Sequence, residues 1–238
     1  MTNLRTVSDT KRAFYQHHSR PINALYRRVV EELMVEMHLL SVNAGFEYSE
    51  LYALGVVTSF DRFMAGYQPE TDKESIFTAL CRSVGDDPQQ YRQDAAALMQ
   101  DVSGLSMDTL NQQLAAAKQH GGDGLVGKLH RVAGRETVKY SRLMAAGLYT
   151  LFEAVDSEAL ADKEQRDTLL TSMAEALNLP GDKVVKDLDL YRSNIEKMLQ
   201  AQEVMKDMLE AERKKREQRA QAKADTAVEK STEEAAES

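Results

Sequence analysis

Histidine and cysteine are the residue types in this sequence that could bind a metal ion or attack a substrate. His17 and His18 are adjacent, so on a helix their side chains point about 100° apart, and with His38 they match no established spacing of metal ligands. Cys81 is the single cysteine, and no recognisable set of a base and an orienting group lies near it in the sequence. This is more typical of a small buried side chain than of a nucleophile. We therefore predict neither a metal site nor a catalytic cysteine.

Clustered glycines and paired carboxylates are the other residues considered for chemistry. Gly121, Gly122 and Gly124 lack the phosphate-binding pattern G-x-x-x-x-G-K-[S/T] and follow a predicted helix, whereas a nucleotide-binding loop follows a strand. We interpret this cluster as a mobile loop. The acidic pairs at positions 31–32 and 86–87 are typical of a solvated surface and of a helix cap, and neither has a neighbour that would separate two carboxyl pKa values. The sequence predicts no cofactor and no catalytic residue.

The composition limits the classes of function. Of the 238 residues, 42% are hydrophobic, which is enough for one helical domain with its own core. The formal net charge of −8 disfavours nucleic acid and anionic lipid as partners unless positive charge is concentrated locally. The first residues contain no apolar signal-peptide core, and no window approaches the ~20 apolar residues that cross a bilayer. Any contact with a membrane is therefore expected to be peripheral.

Apolar residues at helical spacing predict an all-α fold. In residues 21–43, with Pro21 as the first helical residue, they form one continuous stripe. The stripe consists of Ile22, Leu25, Tyr26, Val29, Leu33, Met37 and Leu40. A short helix at 9–17, capped by Ser8, is predicted before it, and a helix at 49–65 is predicted to pair with it as an antiparallel hairpin. Helices at 72–84, 88–102, 107–120, 125–132, 136–155 and 163–177 complete a single helical body at residues 1–180.

After Pro180 the apolar pattern becomes a heptad, with alternating steps of four and three and one polar interruption. Its members are Val184, Leu188, Tyr191, Ile195, Met198, Gln202, Met205 and Leu209. No proline or glycine interrupts residues 182–238, so we predict a long, coiled-coil-like helix at 181–220 that projects from the body. Residues 221–238 are low-complexity polar sequence and are predicted to be a disordered tail.

The end of this long helix carries the positive cluster of the chain. A basic run of this kind is often a solvated helix end, but it could also contact anionic lipid headgroups or an acidic partner. The seam could likewise pack inside the body or against a partner, and we expect residues 184–191 to pack on the body. The candidate partner interface is Ile195, Met198, Met205, Leu209, Arg213, Lys214, Lys215 and Arg216.

Four segments carry a resemblance to a known family. They are VSDTKRAFYQHHSRPINALYRRVVEELMVEMHLLSVN (residues 7–43), YALGVVTSFDRFMAGYQPE (52–70), ESIFTALC (74–81) and DPQQYRQDA (87–95). They closely resemble the thylakoid formation protein family, also called the photosystem II biogenesis family of cyanobacteria and plastids. Plant relatives begin with a transit peptide, whereas this chain starts almost directly at the shared region, so it is similar to a cyanobacterial member.

The resemblance implies a non-enzymatic accessory factor in thylakoid organisation and in photosystem II assembly and repair, linked to the membrane-bound FtsH-type protease. It implies a location in the cyanobacterial cytoplasm, peripherally on the thylakoid membrane, with photosystem II subunits as further candidate partners. It assigns no role to individual residues and does not indicate the oligomeric state. Two alternatives remain open: a helical protein with a small-molecule-binding or catalytic site between helices, and a peripheral lipid-binding protein.

Overall fold

The computed structural model describes residues 5–236, with side chains described as far as residue 219. These residues form ten α-helices and no β-strand, which confirms the all-α prediction. The helices are α1 (Val7–His17), α2 (Ala24–Ser41), α3 (Glu50–Phe63), α4 (Thr71–Val84), α5 (Pro88–Val102), α6 (Met107–Gln119), α7 (Gly124–Ala133), α8 (Arg142–Val155), α9 (Lys163–Ala176) and α10 (Gly181–Ala236).

The chain divides into two compact units, Met1–Ser193 and Asn194–Ser238. The first unit therefore extends beyond residue 180, where the sequence analysis ended the helical body. The physical reason is the burial of Val184 and Leu188, the first two members of the heptad seam. Tyr191 completes this part of the seam, with its ring edge-on to Phe63 and 5.6 Å between the centroids. The expected packing of residues 184–191 within the body is confirmed.

The core of the first unit is built around the crossing of α3 and α8. A Cβ atom on Gly55 would lie 1.6 Å from the carbonyl oxygen of Leu143, and one on Gly147 would lie 2.2 Å from the carbonyl oxygen of Leu51. Neither distance leaves room for a side chain, so the two helix backbones touch at this point. α3 also packs on α5, and its contact with α2 is smaller. The predicted hairpin of the second and third helices is therefore not the main packing of α3.

Two helix starts differ from the prediction because other residues cap them. α1 begins at Val7, since the Thr6 hydroxyl accepts a hydrogen bond from the backbone N–H of Asp9 and the Asp9 carboxylate accepts one from the backbone N–H of Thr6. This reciprocal capping box replaces the predicted cap at Ser8. α2 begins after Asn23, whose side chain caps it. Pro21 therefore lies before α2 and is not its first residue.

The start of α8 is the largest error among the predicted helix starts. It was predicted at residue 136, whereas α8 begins at Arg142. The side-chain oxygen of Ser141 accepts a hydrogen bond of 3.0 Å from the backbone N–H of Leu143 and so caps the helix. Just before it, the Tyr140 hydroxyl donates a 2.7 Å hydrogen bond to Asp187. These contacts hold residues 136–141 in a non-helical connection.

Three predicted helix ends with strong local signals are confirmed. α3 begins at Glu50, within one residue of the predicted start, because Ser49 caps it, and Asp87 followed by Pro88 begins α5 as predicted. Gly85 ends α4 with φ of 93°, a left-handed conformation that favours glycine. In these cases one side chain or one glycine decides the boundary, so the neighbouring sequence is sufficient to locate it.

The buried face of α2 is wider than the predicted stripe and is rotated relative to it. Val30, Met34 and His38 are buried as well, whereas Val29 and Leu25 are only half-buried. The helix therefore contacts neighbours over a broader arc than a single line of residues at steps of three and four.

The second unit consists of the remainder of α10, which is helical as far as Ala236. Side chains from residue 220 onward, and residues 237 and 238 entirely, lie outside the described residues. The predicted disorder of residues 221–238 falls mostly in this part of the chain and stays a prediction, although the backbone helix extends past residue 221.

Candidate functional site

The histidines considered for metal binding lie apart and have other partners. His17 is exposed, whereas Nδ1 of His18 lies 2.9 Å from Oγ of Ser75. Nδ1 of His38 lies 2.8 Å from Oγ1 of Thr10. Within the described part of the chain, no three His, Cys, Asp or Glu side chains are grouped so that they could hold a metal ion.

Cys81 is buried in α4 and is unsuited to nucleophilic chemistry. Burial, with a smaller contribution from the nearby Asp86 carboxylate, raises the pKa of the thiol far above its usual range. The thiol therefore stays protonated at neutral pH, and the thiolate is the reactive form. Cys81 acts here as a small core side chain.

The glycine cluster before α7 is exposed, and close contacts restrict only part of this region. A Cβ atom on Gly127 would lie 1.9 Å from the carbonyl oxygen of Gly122, and one on Gly121 would lie 3.1 Å from the imidazole of His130. That imidazole is fixed in turn, since its Nδ1 lies 2.7 Å from the carbonyl oxygen of Ala117. Close approach therefore restricts Gly121 and Gly127, whereas a Cβ atom on Gly124, whose φ is 58°, would meet no atom within 4 Å. The mobility of this loop stays a prediction.

Three tyrosines and two carboxylates form a cluster that the sequence pattern did not predict, in which Tyr52 and Tyr91 are buried and the other members are half-buried. Tyr48, Tyr52 and Tyr91 pack edge-on with ring centroids 5.2 to 6.1 Å apart. The Tyr91 hydroxyl donates a 2.7 Å hydrogen bond to Asp86, and the Tyr48 hydroxyl donates a 2.8 Å bond to Asp94. Burial raises the pKa of all three phenols and of the Asp86 carboxyl. The phenols stay protonated as donors, and the group joins α3 to α5.

A groove of about 990 Å³ lies between α2, the connection before α8 and the first turns of α10. It is open to solvent, and most of its lining side chains are charged or polar. Several are already paired: Arg142 bridges Glu36 at 2.6 Å, and Tyr140 bonds Asp187. A small-molecule site is typically an enclosed and mainly apolar pocket. The groove therefore does not favour the small-molecule alternative.

The candidate partner interface lies in the second unit, along one helix. Its apolar members differ in exposure: Met198 is buried, with 6% of its surface exposed, and Leu209 is 61% exposed. Ile195 and Met205 are half-buried. The basic members Arg213, Lys214, Lys215 and Arg216 are all exposed. That these eight residues bind a partner stays a prediction.

Two more exposed apolar side chains lie beside Leu209. Val204 is 56% exposed and Met208 is 65% exposed, and their spacing of four residues puts them on one side of the helix. Both positions are apolar in the sequence, but they lie outside the heptad seam, so the predicted interface did not include them. We define the distal surface as Val204, Met208, Leu209, Arg213, Lys214, Lys215 and Arg216.

Among side chains described up to residue 219, the cations of the distal surface make one ion pair. Arg213 approaches Glu217 with 3.5 Å between Nε and Oε1, but this pair is exposed and contributes little to stability. Lys214, Lys215 and Arg216 make no ion pair with any side chain up to residue 219. Exposed apolar groups followed by cations can bind a partner that offers an apolar surface and negative charge.

Comparisons with known proteins give consistent matches over most of the chain. The sequence model of the thylakoid formation protein family matches residues 6–220. The relative named Protein Thf1 from Nostoc sp. is 57% identical over 219 residues, covering 92% of this chain and 94% of its own. Protein Thf1 from Gloeothece citriformis is 54% identical over 220 residues, covering 92% of this chain and 97% of its own.

A solved structure shows the same similarity in three dimensions. The 1.55 Å structure of Psb29 superposes with a TM-score of 0.78 at 47% sequence identity, covering 89% of this chain and 98% of that chain. The matched region thus extends well beyond the first hundred residues that carried the resemblance, and the family match includes the distal surface.

Proposed function

Because the chain belongs to the thylakoid formation protein family, we propose that it is an accessory factor in thylakoid biogenesis and in photosystem II assembly and repair. It acts by binding the membrane-bound FtsH-type protease and catalyses no reaction itself. Photosystem II subunits are further candidate partners. The family description, which names thylakoid formation, and the similarity to Psb29 support the cellular process in this proposal.

The observation that carries the proposed mechanism is the distal surface. Val204, Met208 and Leu209 are more than half exposed on a regular helix. Burial of each such side chain in a partner contributes about 1.5 to 3 kcal/mol. An exposed amphipathic helix can dock into an apolar groove of a partner without any reactive group. The neighbouring cations would orient a partner that carries acidic side chains.

The proposal is tested by the double substitution Met208→Asp with Leu209→Asp in the full chain. Both side chains are exposed, so we expect the melting temperature of the protein to stay unchanged. Loss of two buried anchors should weaken partner binding by about two orders of magnitude or more. The measurement is the amount of FtsH-type protease that the purified, tagged protein recovers from detergent-solubilised thylakoids.

Leu190→Asp is the matched control, because Leu190 lies on the same helix in the first unit and is 50% exposed. This variant should recover the protease as the native chain does. If the double variant also recovers it fully, the distal surface is not the binding site. If the native chain recovers photosystem subunits without the protease, the protease is not the direct partner.

The basic residues favour a second candidate function, peripheral binding to anionic lipid on the cytoplasmic face of the thylakoid membrane. Arg213, Lys214, Lys215 and Arg216 concentrate positive charge in a chain of net charge −8. Among the described helices, none combines the length and the apolarity needed to cross a bilayer. Each cation close to an anionic membrane surface contributes about 1 kcal/mol to the free energy of binding.

Vesicle flotation tests this second candidate. The protein should float with phosphatidylglycerol vesicles at about 0.05 M salt and should dissociate at about 0.5 M, because salt screens exposed charges. The triple substitution Lys214→Gln, Lys215→Gln and Arg216→Gln should abolish flotation. Equal flotation with neutral phosphatidylcholine vesicles would contradict an electrostatic mechanism.

A further inference from the structure

A buried histidine fastens each end of α1. Near its start, Thr10 of α1 is bonded to His38 of α2, with 2.8 Å between Oγ1 and Nδ1. At its end, His18 caps the helix and is bonded to Ser75 of α4, with 2.9 Å between Nδ1 and Oγ. The exposed fractions of His18 and His38 are 2% and 3%. Two different helices therefore hold α1 through imidazole rings.

The other contacts of α1 are of kinds that do not respond to pH near neutrality. Phe14 is completely buried and anchors the middle of the helix. Lys11 bridges Glu31 at 2.8 Å, and the Arg5 guanidinium donates a 3.0 Å hydrogen bond to the carbonyl oxygen of Ser83. Lysine, arginine and glutamate keep their charge between about pH 5 and pH 8, whereas histidine changes its charge in that range.

The surroundings of His18 are unfavourable to a positive charge. Nε2 is buried and has no hydrogen-bond partner among the described residues. Burial is the main cause that lowers the pKa of the ring, and the Arg20 guanidinium lowers it further. Asp72 acts in the opposite direction, but this carboxylate is already paired with Arg20. A proton on His18 would therefore lack a dedicated counter-ion.

His38 is in a similar position. Burial is again the main cause that lowers the pKa of the ring, followed by the positive charge of Arg5. Asp9 raises it, but its carboxylate already accepts hydrogen bonds from the Thr6 backbone and hydroxyl in the cap of α1. The two sites thus share one design, in which a neutral imidazole is buried next to an arginine and the nearby carboxylate is occupied.

We propose that α1 is a pH-sensitive latch, held on α2 and α4 by the neutral imidazoles of His38 and His18 and released when both rings are protonated. Release exposes the apolar surface around Phe14, which docking keeps from water. The latch concerns the first unit alone and does not depend on the proposed binding of a protease.

The direction of the pH response follows from linkage. The pKa of each ring is lowered from 6.5 in the docked state, so the undocked state binds protons more readily. Docking is therefore fully favoured above pH 6.5 and is weakened as the pH falls below it. Between about pH 7.5 and pH 5.5 the equilibrium constant for undocking should rise, by at most about tenfold for each histidine and about 100-fold for both.

Amide hydrogen exchange of the full chain measures this change. After correction for the intrinsic pH dependence of exchange, the protection of α1 amides should fall between about pH 7.5 and about pH 5.5, by at most ~100-fold. Amides of α3 and α8 should lose much less protection over the same range. Equal losses in all three helices, or none in α1, would overturn the latch.

Substitution of the histidines isolates their role. In the double variant His18→Asn with His38→Asn, a carboxamide takes the place of Nδ1 but does not titrate, so the pH response of α1 should disappear. His17→Asn is the matched control, since His17 is exposed beside His18, and it should keep the full response. A double variant that keeps the native response overturns the proposal. Should that variant not fold, NMR titration of the native rings decides, and a pKa at or above 6.5 for either ring contradicts it.

Discussion

The crossing of α3 and α8 and the distal surface of α10 differ in the size and the exposure of the side chains on their helices. At the crossing, Gly55 and Gly147 remove side chains altogether so that two backbones touch. On the distal surface, Met208 and Leu209 leave large apolar side chains in water. The first arrangement gains dispersion contacts within the chain. The second leaves an apolar surface exposed among the described residues.

This contrast separates residues that determine the fold from residues available for partners. A substitution at the crossing changes a contact between backbones, so it should lower stability. A substitution on the distal surface changes solvent-exposed atoms, so it should alter binding at constant stability. Three further predictions test this separation.

The largest effect is expected for Gly147→Ala. Helix propensity alone predicts stabilisation by about 1 kcal/mol, because alanine is the better helix former. The added Cβ would instead lie 2.2 Å from the carbonyl oxygen of Leu51, so α3 and α8 must separate. We expect destabilisation on the order of 3–5 kcal/mol, measured by urea unfolding of the purified chain.

Gly45→Ala is the control for this prediction, since the nearest atom to its Cβ would be Oδ1 of Asn43 at 3.4 Å. This variant should unfold within about 0.5 kcal/mol of the native chain. A Gly147→Ala variant of native stability would show that the two backbones do not touch at the crossing.

The next effect tests the rotation of α2. Val30 is buried whereas Val29 is half-buried, although the sequence pattern favoured Val29 as the core residue. Val30→Asp buries an unpaired carboxylate and should destabilise the protein by roughly 3–4 kcal/mol. Val29→Asp should cost clearly less. Thermal unfolding of the two single variants compares them directly. If Val29→Asp were the more destabilising of the two, the buried face of α2 would be the one predicted from the sequence.

The smallest effect is expected for deletion of residues 221–238. This polar segment has no apolar periodicity, so its removal should leave the melting temperature of the first unit within about 1 °C of the native value. Calorimetry of the two chains makes the comparison. A drop of several degrees would mean that the segment packs on the rest of the protein and contributes to its stability.

The helix boundaries show where local sequence is informative. Asp87 with Pro88, and Gly85, were located correctly because a cap or a left-handed residue acts within one turn. The start of α8 was not, because a helical apolar pattern continues upstream of Ser141 while a hydrogen bond to the distant Asp187 holds Tyr140 outside the helix. A local pattern contains no information about such a competitor.

The candidate site shows the same limit. Heptad spacing identified a helix in residues 181–220 and the seam along it, and the spacing of Val184 and Leu188 is identical to that of later seam residues. Burial differs along the seam, however, from buried at Val184 to 61% exposed at Leu209. Periodicity reports which side chains share a face of the helix, but not what covers that face.

The amino-acid sequence by itself determined the all-α class, most of the helices and the family, because helical periodicity, capping residues and family motifs are all read over short stretches of chain. Only the tertiary structure decided that Gly55 meets Gly147, that Tyr48 packs on Tyr91, and that His18 and His38 hold the two ends of α1. Those pairings join residues far apart in the chain. They depend on how whole helices pack, and helix packing is the sum of many weak contacts that no single stretch of sequence contains.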